Sequence, residues 1–148
     1  LWLPGGVGDA LVSERLTNRE ESVLNLLGNL IWILFGGLVA SLLWTMAGLL
    51  ACLTIVGIPF GIQCFKLAGF VLMPFGRTVD AGSFGFGGLI GNLIWILLLG
   101  WELAVTHAVF GLVLCLTIIG IPFGRQHFKM AILALVPFGA KVRNDAWR

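Results

Sequence analysis

Charged residues are scarce in this chain. Only 11% of its 148 residues are Asp, Glu, Lys or Arg and 59% are apolar, whereas about a quarter of the residues in a soluble domain are charged. The mean hydropathy of +1.03 is correspondingly high. This composition excludes an ordinary water-soluble domain, and a net charge of +2 is too small to indicate nucleic-acid binding. The sequence therefore predicts an integral membrane protein with no nucleic-acid partner.

Cysteines and the residues of common catalytic sites are also sparse. Cys52, Cys64 and Cys115 form no CxxC pattern and no Cys/His metal-site spacing, and their odd number does not fit a complete disulfide framework. We interpret them as small packing residues. The sequence offers no nucleophile beside a base, no phosphate-binding loop and no paired carboxylates. We therefore expect no enzymatic activity, no cofactor and no metal.

Two long apolar runs fill most of the chain. Residues 23–65 carry no charge, and residues 81–124 carry only Glu102. Each run is about twice the ~20 residues that cross a bilayer once. Lipid offers no partner for free amide groups, and the alternating strands of a membrane barrel are missing, so we expect an all-α fold.

The same unit occurs twice. Residues 28–77 align with residues 91–140 at a constant offset of 63 without a gap, and identities cluster in GNLIWIL, in CLTI-GIPFG-Q-FK-A and in PFG. Duplicated membrane units usually pack about a pseudo-symmetry axis, so we expect function to lie where the copies meet. The chain then divides into a polar N-terminal segment (1–22), repeat 1 (23–77), a Gly-rich linker (78–90), repeat 2 (91–140) and a basic tail (141–148).

The ends of the chain carry weaker signals. Residues 1–22 have mixed charges, which is not typical of a cleaved signal peptide. Thr17 or Asn18 is expected to cap the first helix, with acidic residues in its first turn. Trp147 in the tail is a candidate interfacial anchor.

A Gly-Ile-Pro-Phe-Gly motif interrupts each copy. Proline removes a backbone donor and glycine permits unusual backbone angles, so we expect the chain to change direction there. Short helices are expected to follow at residues 62–72 and 125–135. The helix-breaking residues are Gly57, Pro59, Gly61, Gly120, Pro122 and Gly124.

The number of membrane crossings depends on how each copy folds. Residues 25–56 would form a helix of ~48 Å against a hydrocarbon core of ~30 Å. A tight hairpin at Gly36–Gly37 and at Gly100, with interfacial short helices, gives about four transmembrane helices and puts every Lys and Arg on one face. We then expect both termini in the cytoplasm. Two alternatives remain open: one long tilted helix plus a short crossing helix per copy, or one crossing per copy with inverted repeats.

The repeated motif resembles a known family. The pattern C-L-T-I-(V/I)-G-I-P-F-G-x-Q-x-F-K-x-A, preceded by G-N-L-I-W and followed by P-F-G, is similar to that of the YccF family of small bacterial inner-membrane proteins. The similarity covers residues 28–140. It implies a bacterial inner-membrane location and a duplicated domain, and it brings no catalytic residue or cofactor.

Few polar residues stand out within the repeats. Glu102, Thr106 and His107 fall roughly on one helical face, where an acid near a histidine could relay protons or bind a cation. The alternative is an interfacial Glu102 and a packed His107. His127, like His107, has no histidine counterpart in the first copy, which adds it to the candidates.

Basic residues form a second candidate group. Lys66, Arg125 and Lys129 could line an anion pathway or bind anionic lipid heads. The alternative is that they are snorkelling charges that fix the topology. Two pairs of repeat equivalents have structural predictions: Asn29 and Asn92 are expected to bond across helices, and Trp32 and Trp95 to pack or anchor.

Two hypotheses about function follow. The first is an oligomeric ion channel or small-solute carrier, because helices broken by Gly-Pro turns resemble the discontinuous helices of transporters. The second is a non-transporting structural or accessory component that binds lipid or a partner protein. The scarcity of polar residues that could line a water-filled path favours the second. Either way, we expect a homo-oligomer in the lipid bilayer.

Overall fold

A computed structural model describes residues 6–81 and 85–144. This part of the chain is mostly helical, as expected, and the second repeat follows the same order of elements as the first. The prediction for Trp147 lies outside the described residues. The elements are α1 (Val7–Trp32), a π-helical turn (Ile33–Gly37), α2 (Leu38–Ala51), α3 (Ile58–Leu72), β1 (Arg77–Ala81), α4 (Phe86–Trp95), a second π-helical turn (Ile96–Gly100), α5 (Trp101–Cys115), α6 (Ile121–Leu135) and β2 (Ala140–Asn144).

Helix α1 begins earlier than the sequence suggested. Gly6 precedes its first residue, Val7, and Thr17 lies inside the helix with its hydroxyl donating to the carbonyl of Ser13 at 3.0 Å. The prediction of a cap at Thr17 or Asn18 is therefore wrong. The Glu, Arg and Leu residues of this segment are good helix formers, so the polar region continues the helix.

The hairpins predicted at Gly36–Gly37 and Gly100 do not form. The chain passes these points as π-helical turns, with a kink in the first copy, where Phe35 has φ −87° and ψ 18° and Gly36 has φ +124°. A Cβ on Gly100 would lie 2.7 Å from Cδ1 of Trp95, so the indole ring lies directly on the turn. Extra residues in helical turns commonly produce such kinks. The resulting stretches, Val7–Ala51 and Phe86–Cys115, are long and apolar enough to cross a membrane.

Helices α2 and α3 pack as an antiparallel helical hairpin, and α5 and α6 form its counterpart. The hydroxyl of Ser41 donates to the carbonyl of Ala68 at 3.0 Å, and Cβ atoms on Gly61 or Gly124 would come within 2.7 Å of the carbonyls of Gly48 or Gly111. The glycines thus allow the two helices of each hairpin to approach closely.

The Gly-Ile-Pro-Phe-Gly motifs lie at the start of α3 and α6. Both helices begin at the isoleucine, four residues earlier than predicted, because proline is tolerated in the first helical turn. Gly57 and Gly120 have ordinary φ values of −80° and −78°, so unusual backbone angles do not explain them. A side chain on either would meet the carbonyl of Ala51 or Leu114. Close approach is therefore the reason for these glycines.

A two-stranded ribbon was not predicted, so the all-α prediction is incomplete. Strands β1 and β2 pair antiparallel with Val79 opposite Val142. Asp80 and Arg143 join them in an exposed ion pair, with Nε 2.8 Å from Oδ2 and a second contact of 3.1 Å. The strands occupy parts of the expected linker and tail.

The two helical hairpins lie antiparallel to each other. Phe60, at the start of α3, contacts Phe138, which follows α6, and the equivalent rings Phe123 and Phe75 make the reciprocal contact, with centroids 4.7 and 5.8 Å apart. Gln63 also donates to the carbonyl of Pro137 at 2.7 Å. A pseudo-two-fold axis therefore runs perpendicular to the hairpins and puts their Gly-Pro turns at opposite ends.

The ribbon crosses the middle of the hairpins. Val79 and Val142 are repeat equivalents and pair directly, so the axis passes between them. The same axis passes through the buried core between the copies, where indole rings dominate. The largest buried side chains there include Trp32, Trp44, Trp95, Leu67 and Met130.

Candidate functional site

The copies meet at a buried pair of side chains from α2 and α5. Trp44 and His107 are repeat equivalents, and the indole Nε1 donates to Nε2 of His107 at 3.0 Å. Both side chains are almost completely buried. The contact therefore lies on the pseudo-two-fold axis, where the sequence predicted that any function would be.

A second histidine extends this pair. Nδ1 of His107 lies 3.0 Å from Nδ1 of His127 on α6. An indole N–H can only donate, so Nε2 of His107 accepts and its proton is on Nδ1. That proton is donated to Nδ1 of His127, which leaves the proton of His127 on Nε2. The hydrogen bonds thus fix one tautomer for each imidazole.

The outer nitrogen of His127 has no hydrogen-bond partner among the described residues. The ring is fully buried between Phe110 and Trp32, with centroids 5.4 and 4.5 Å away. A Cβ on Gly36 would lie 3.2 Å from this Nε2. The kink at Gly36 therefore brings bare backbone against the imidazole, where a side chain would crowd it.

This arrangement is poorly suited to moving protons. A proton relay needs a group at each end that both accepts and donates, and the indole of Trp44 cannot accept. The other end, Nε2 of His127, faces Gly36 and aromatic rings. The three side chains are better explained as a polar contact that aligns the two copies.

The structure separates the candidates that the sequence grouped together. Glu102 is exposed and His107 is buried, so the two do not form a site, and Thr106 donates to the backbone carbonyl of Glu102 at 2.8 Å. Lys66, Arg125 and Lys129 are exposed on α3 and α6. Among the sequence candidates, His107 and His127 are the pair that the structure joins side chain to side chain.

No metal site is evident within residues 6–81 and 85–144. No three His, Cys, Asp or Glu side chains there are grouped closely enough to hold an ion. Cys52, Cys64 and Cys115 are free thiols, and Cys64, the repeat equivalent of His127, is buried.

The repeated asparagines bond to the Pro-Phe-Gly turns that follow α3 and α6, and not to another helix as predicted. Asn29 accepts from the backbone N–H of Phe75 at 2.9 Å and donates to its carbonyl at 3.0 Å. Asn92 makes the same two bonds to Phe138, at 2.9 and 3.2 Å. One asparagine thus satisfies both backbone groups of a residue that follows a helix end.

The repeated tryptophans act in the same region. The indoles of Trp32 and Trp95 donate to the carbonyls of Val71 and Ala134, each at 2.8 Å. Both are buried, as expected of packing residues.

Sequence reasoning missed the roles of Trp44 and Gly36. Trp44 carried a usable signal, because it is the repeat equivalent of His107 and equivalent residues near a two-fold axis can meet. Gly36 has Leu99 as its repeat equivalent, so comparison of the two copies does not indicate that a glycine is needed there.

Comparison with known proteins gives a consistent result. The model of the YccF inner membrane component domain matches residues 27–77 and 90–140. The inner membrane protein YccF of Escherichia coli K12 is 34% identical over 132 residues, covering 82% of this chain and 86% of the relative, and the Shigella flexneri protein gives the same values. No solved structure matches the chain significantly. The chain therefore belongs to the YccF family of inner membrane proteins and carries two copies of its domain.

Proposed function

We propose that the protein is a non-transporting accessory component of the inner membrane, whose duplicated unit is a rigid packed body. The observation that carries this proposal is the filling of the axis between the copies by rings in contact. The rings of Trp44 and Trp95 stack with centroids 6.2 Å apart, beside the linked His107 and His127. A solute pathway needs a hydrated, polar lining, which a single copy of this core lacks.

We infer the orientation in the bilayer from the position of the ribbon. If the hairpins stood upright, the ribbon at their mid-length would put the exposed pair of Asp80 and Arg143 at the bilayer centre. A charged side chain there costs at least ~2.5 kcal/mol. We infer that the pseudo-two-fold axis instead lies along the membrane normal, with the ribbon at the cytoplasmic surface. Both copies then have the same orientation, which agrees with the bias of basic residues toward the cytoplasm.

The helical hairpins then lie along the interface. Helices α3 and α6 have 15 residues each, about 22 Å, which is short of the ~30 Å core. The equivalent exposed side chains Leu42 and Val105, and Leu49 and Leu112, provide apolar faces on α2 and α5 for the hydrocarbon.

Two equivalent turn residues test this orientation. Ile55 and Ile118 are 87% and 88% exposed at opposite ends of the molecule. With the axis along the normal, single cysteines at the two sites, in a background with the native cysteines changed to Ala, should report equal depths by fluorescence quenching. They should also resist an impermeant thiol reagent from either side. Labelling of the two positions from opposite sides would contradict the orientation.

An oligomeric anion pathway is the second candidate. Upright hairpins would bring Arg77, Lys129 and Lys141 to mid-membrane, where several subunits could surround a hydrated path. Chloride and cation flux across liposomes holding the purified protein distinguishes the two functions. Movement at the rate of empty vesicles supports the accessory function. Selective anion flux that is reduced by the Lys129→Gln substitution would contradict the accessory function and support the anion pathway.

A further inference from the structure

A cavity of about 360 Å³ lies between α6, β1 and the side chain of Phe70 on α3. This volume is within the range of small-ligand sites, roughly 300–1,000 Å³. Its walls are mostly apolar, with Ile132 and Leu133 from α6 and Val136 directly after that helix. The buried histidines do not line the cavity, which has no role in the packing argument above.

The charged residues that line this cavity are both cations. Arg77 enters from β1 and Lys129 from α6, with Gln126 beside them as a neutral donor. Arg77 is held in place because one guanidinium nitrogen donates to the carbonyl of Gly69 at 3.1 Å. A guanidinium has five N–H donors in a fork that suits phosphate, so most of them are left for a ligand.

Two cations beside an apolar wall match an amphiphile with an anionic head. A free phosphate would use the cations but gain nothing from Ile132, a 67% exposed residue that lines the cavity. A neutral lipid would use the wall but leave the cations without a counter-charge. We propose that this cavity binds an anionic phospholipid, with its phosphate between Arg77 and Lys129 and its hydrocarbon against Phe70, Ile132 and Val136.

The copies differ at the residues that line this cavity. Lys129 has Lys66 as its repeat equivalent, the equivalent of Arg77 is Ala140, and the equivalent of the lining residue Thr78 is Lys141. Lys66 does not line this cavity. The arrangement of Arg77 with Lys129 is therefore not reproduced by their repeat equivalents.

The proposal deepens the accessory function, on which it rests for the position of the ribbon at the headgroups. The test uses full-length protein in neutral detergent and a tail-labelled phosphatidylglycerol, with phosphatidylcholine as the neutral comparison. Each cation is worth about fivefold in affinity for an anionic lipid. We expect phosphatidylglycerol to bind at least tenfold more tightly than phosphatidylcholine. The double variant Arg77→Gln with Lys129→Gln should lower the affinity for phosphatidylglycerol roughly 30-fold.

Matched variants separate the site from general surface charge. Lys66→Gln, the equivalent change in the first copy, should leave binding unchanged. Ile132→Gln should weaken both lipids, whereas Ile121→Gln, an exposed change on the same helix outside the cavity, should not. Circular dichroism and gel filtration confirm that each variant is folded.

Three results would overturn the lipid site. These are equal affinity for the two lipids, an equal loss with Lys66→Gln, and competition by glycerol phosphate at concentrations as low as those of the lipid. Flux results are read separately. Solute flux together with intact phosphatidylglycerol binding would contradict the accessory function and support the lipid site. Absence of both flux and lipid preference would support the accessory function and contradict the lipid site.

Discussion

Trp44 and His107 occupy the same position in the two repeats and are hydrogen-bonded to each other across the pseudo-two-fold axis. Two tryptophans at this position would oppose two donors, because an indole N–H cannot accept. One tryptophan and one histidine give a donor opposite an acceptor. Divergence of the two copies at this point thus allows a buried polar contact that identical copies with tryptophan could not make.

Loss of the indole donor should destabilise the protein. Trp44→Phe leaves Nε2 of His107 buried without a partner, which costs about 1–3 kcal/mol. Unfolding in detergent, followed by far-UV circular dichroism, measures the change. Trp101→Phe is the control, because Trp101 is 51% exposed and should change stability by less than about 0.5 kcal/mol. Equal effects of the two substitutions would contradict a structural role for the Trp44 contact.

Two glycines should respond in opposite directions to the same substitution. Gly36→Ala forces a φ of +124° on alanine and brings Cβ to 3.2 Å from Nε2 of His127, so we expect a loss of about 1–3 kcal/mol. Gly69→Ala meets nothing within 4 Å and should be neutral or stabilise α3 by up to about 1 kcal/mol. Thermal unfolding of both variants checks this. A neutral Gly36→Ala would show that the kink is not required.

The sequence could predict what depends on local pattern. The mostly helical fold and the packing of Trp32 follow from residue chemistry and from the repeat, whereas the helices at the Gly-Ile-Pro-Phe-Gly motifs begin four residues earlier than the pattern predicted. Pairing of Val79 with Val142 depends on contacts between distant segments, and a strand of five residues has too little alternation to be recognised alone.

The candidate site was less predictable than the fold. His107 and Glu102 share a helical face by spacing, but packing against the other copy buries the histidine and leaves the carboxylate exposed. The contact of His107 with His127 depends on how α5 and α6 pack, which the charges and periodicity do not specify.

The two asparagines should make equal contributions. Asn29→Ala and Asn92→Ala each remove two hydrogen bonds to the backbone of the following Pro-Phe-Gly turn. At about 0.5–1.5 kcal/mol per bond, each substitution should cost about 1–3 kcal/mol. Denaturant unfolding gives the values, with the exposed Asn18→Ala as the control. A large difference between the two repeats would show that the turns are not equivalent.

The ribbon register can be tested by cross-linking. Val79 and Val142 are directly opposite, and such residues have Cα atoms about 4.5–5.5 Å apart, within the range of a disulfide. The double variant Val79→Cys and Val142→Cys should oxidise within one chain and migrate faster on a non-reducing gel. Pairing Val79→Cys with Asn144→Cys, two residues out of register, should oxidise much more slowly. Similar rates would contradict the register.

The ribbon also sets the order in which the protein can be completed during synthesis. β1 pairs with a segment 63 positions downstream, so the first copy enters the membrane before its partner strand has been made. Until then, β1 has unpaired backbone groups and Trp44 lacks the imidazole that it will contact. Long-range contacts of this kind form late. Folding is therefore expected to end in one cooperative step, in which the second copy packs against a first copy that is already inserted in the bilayer.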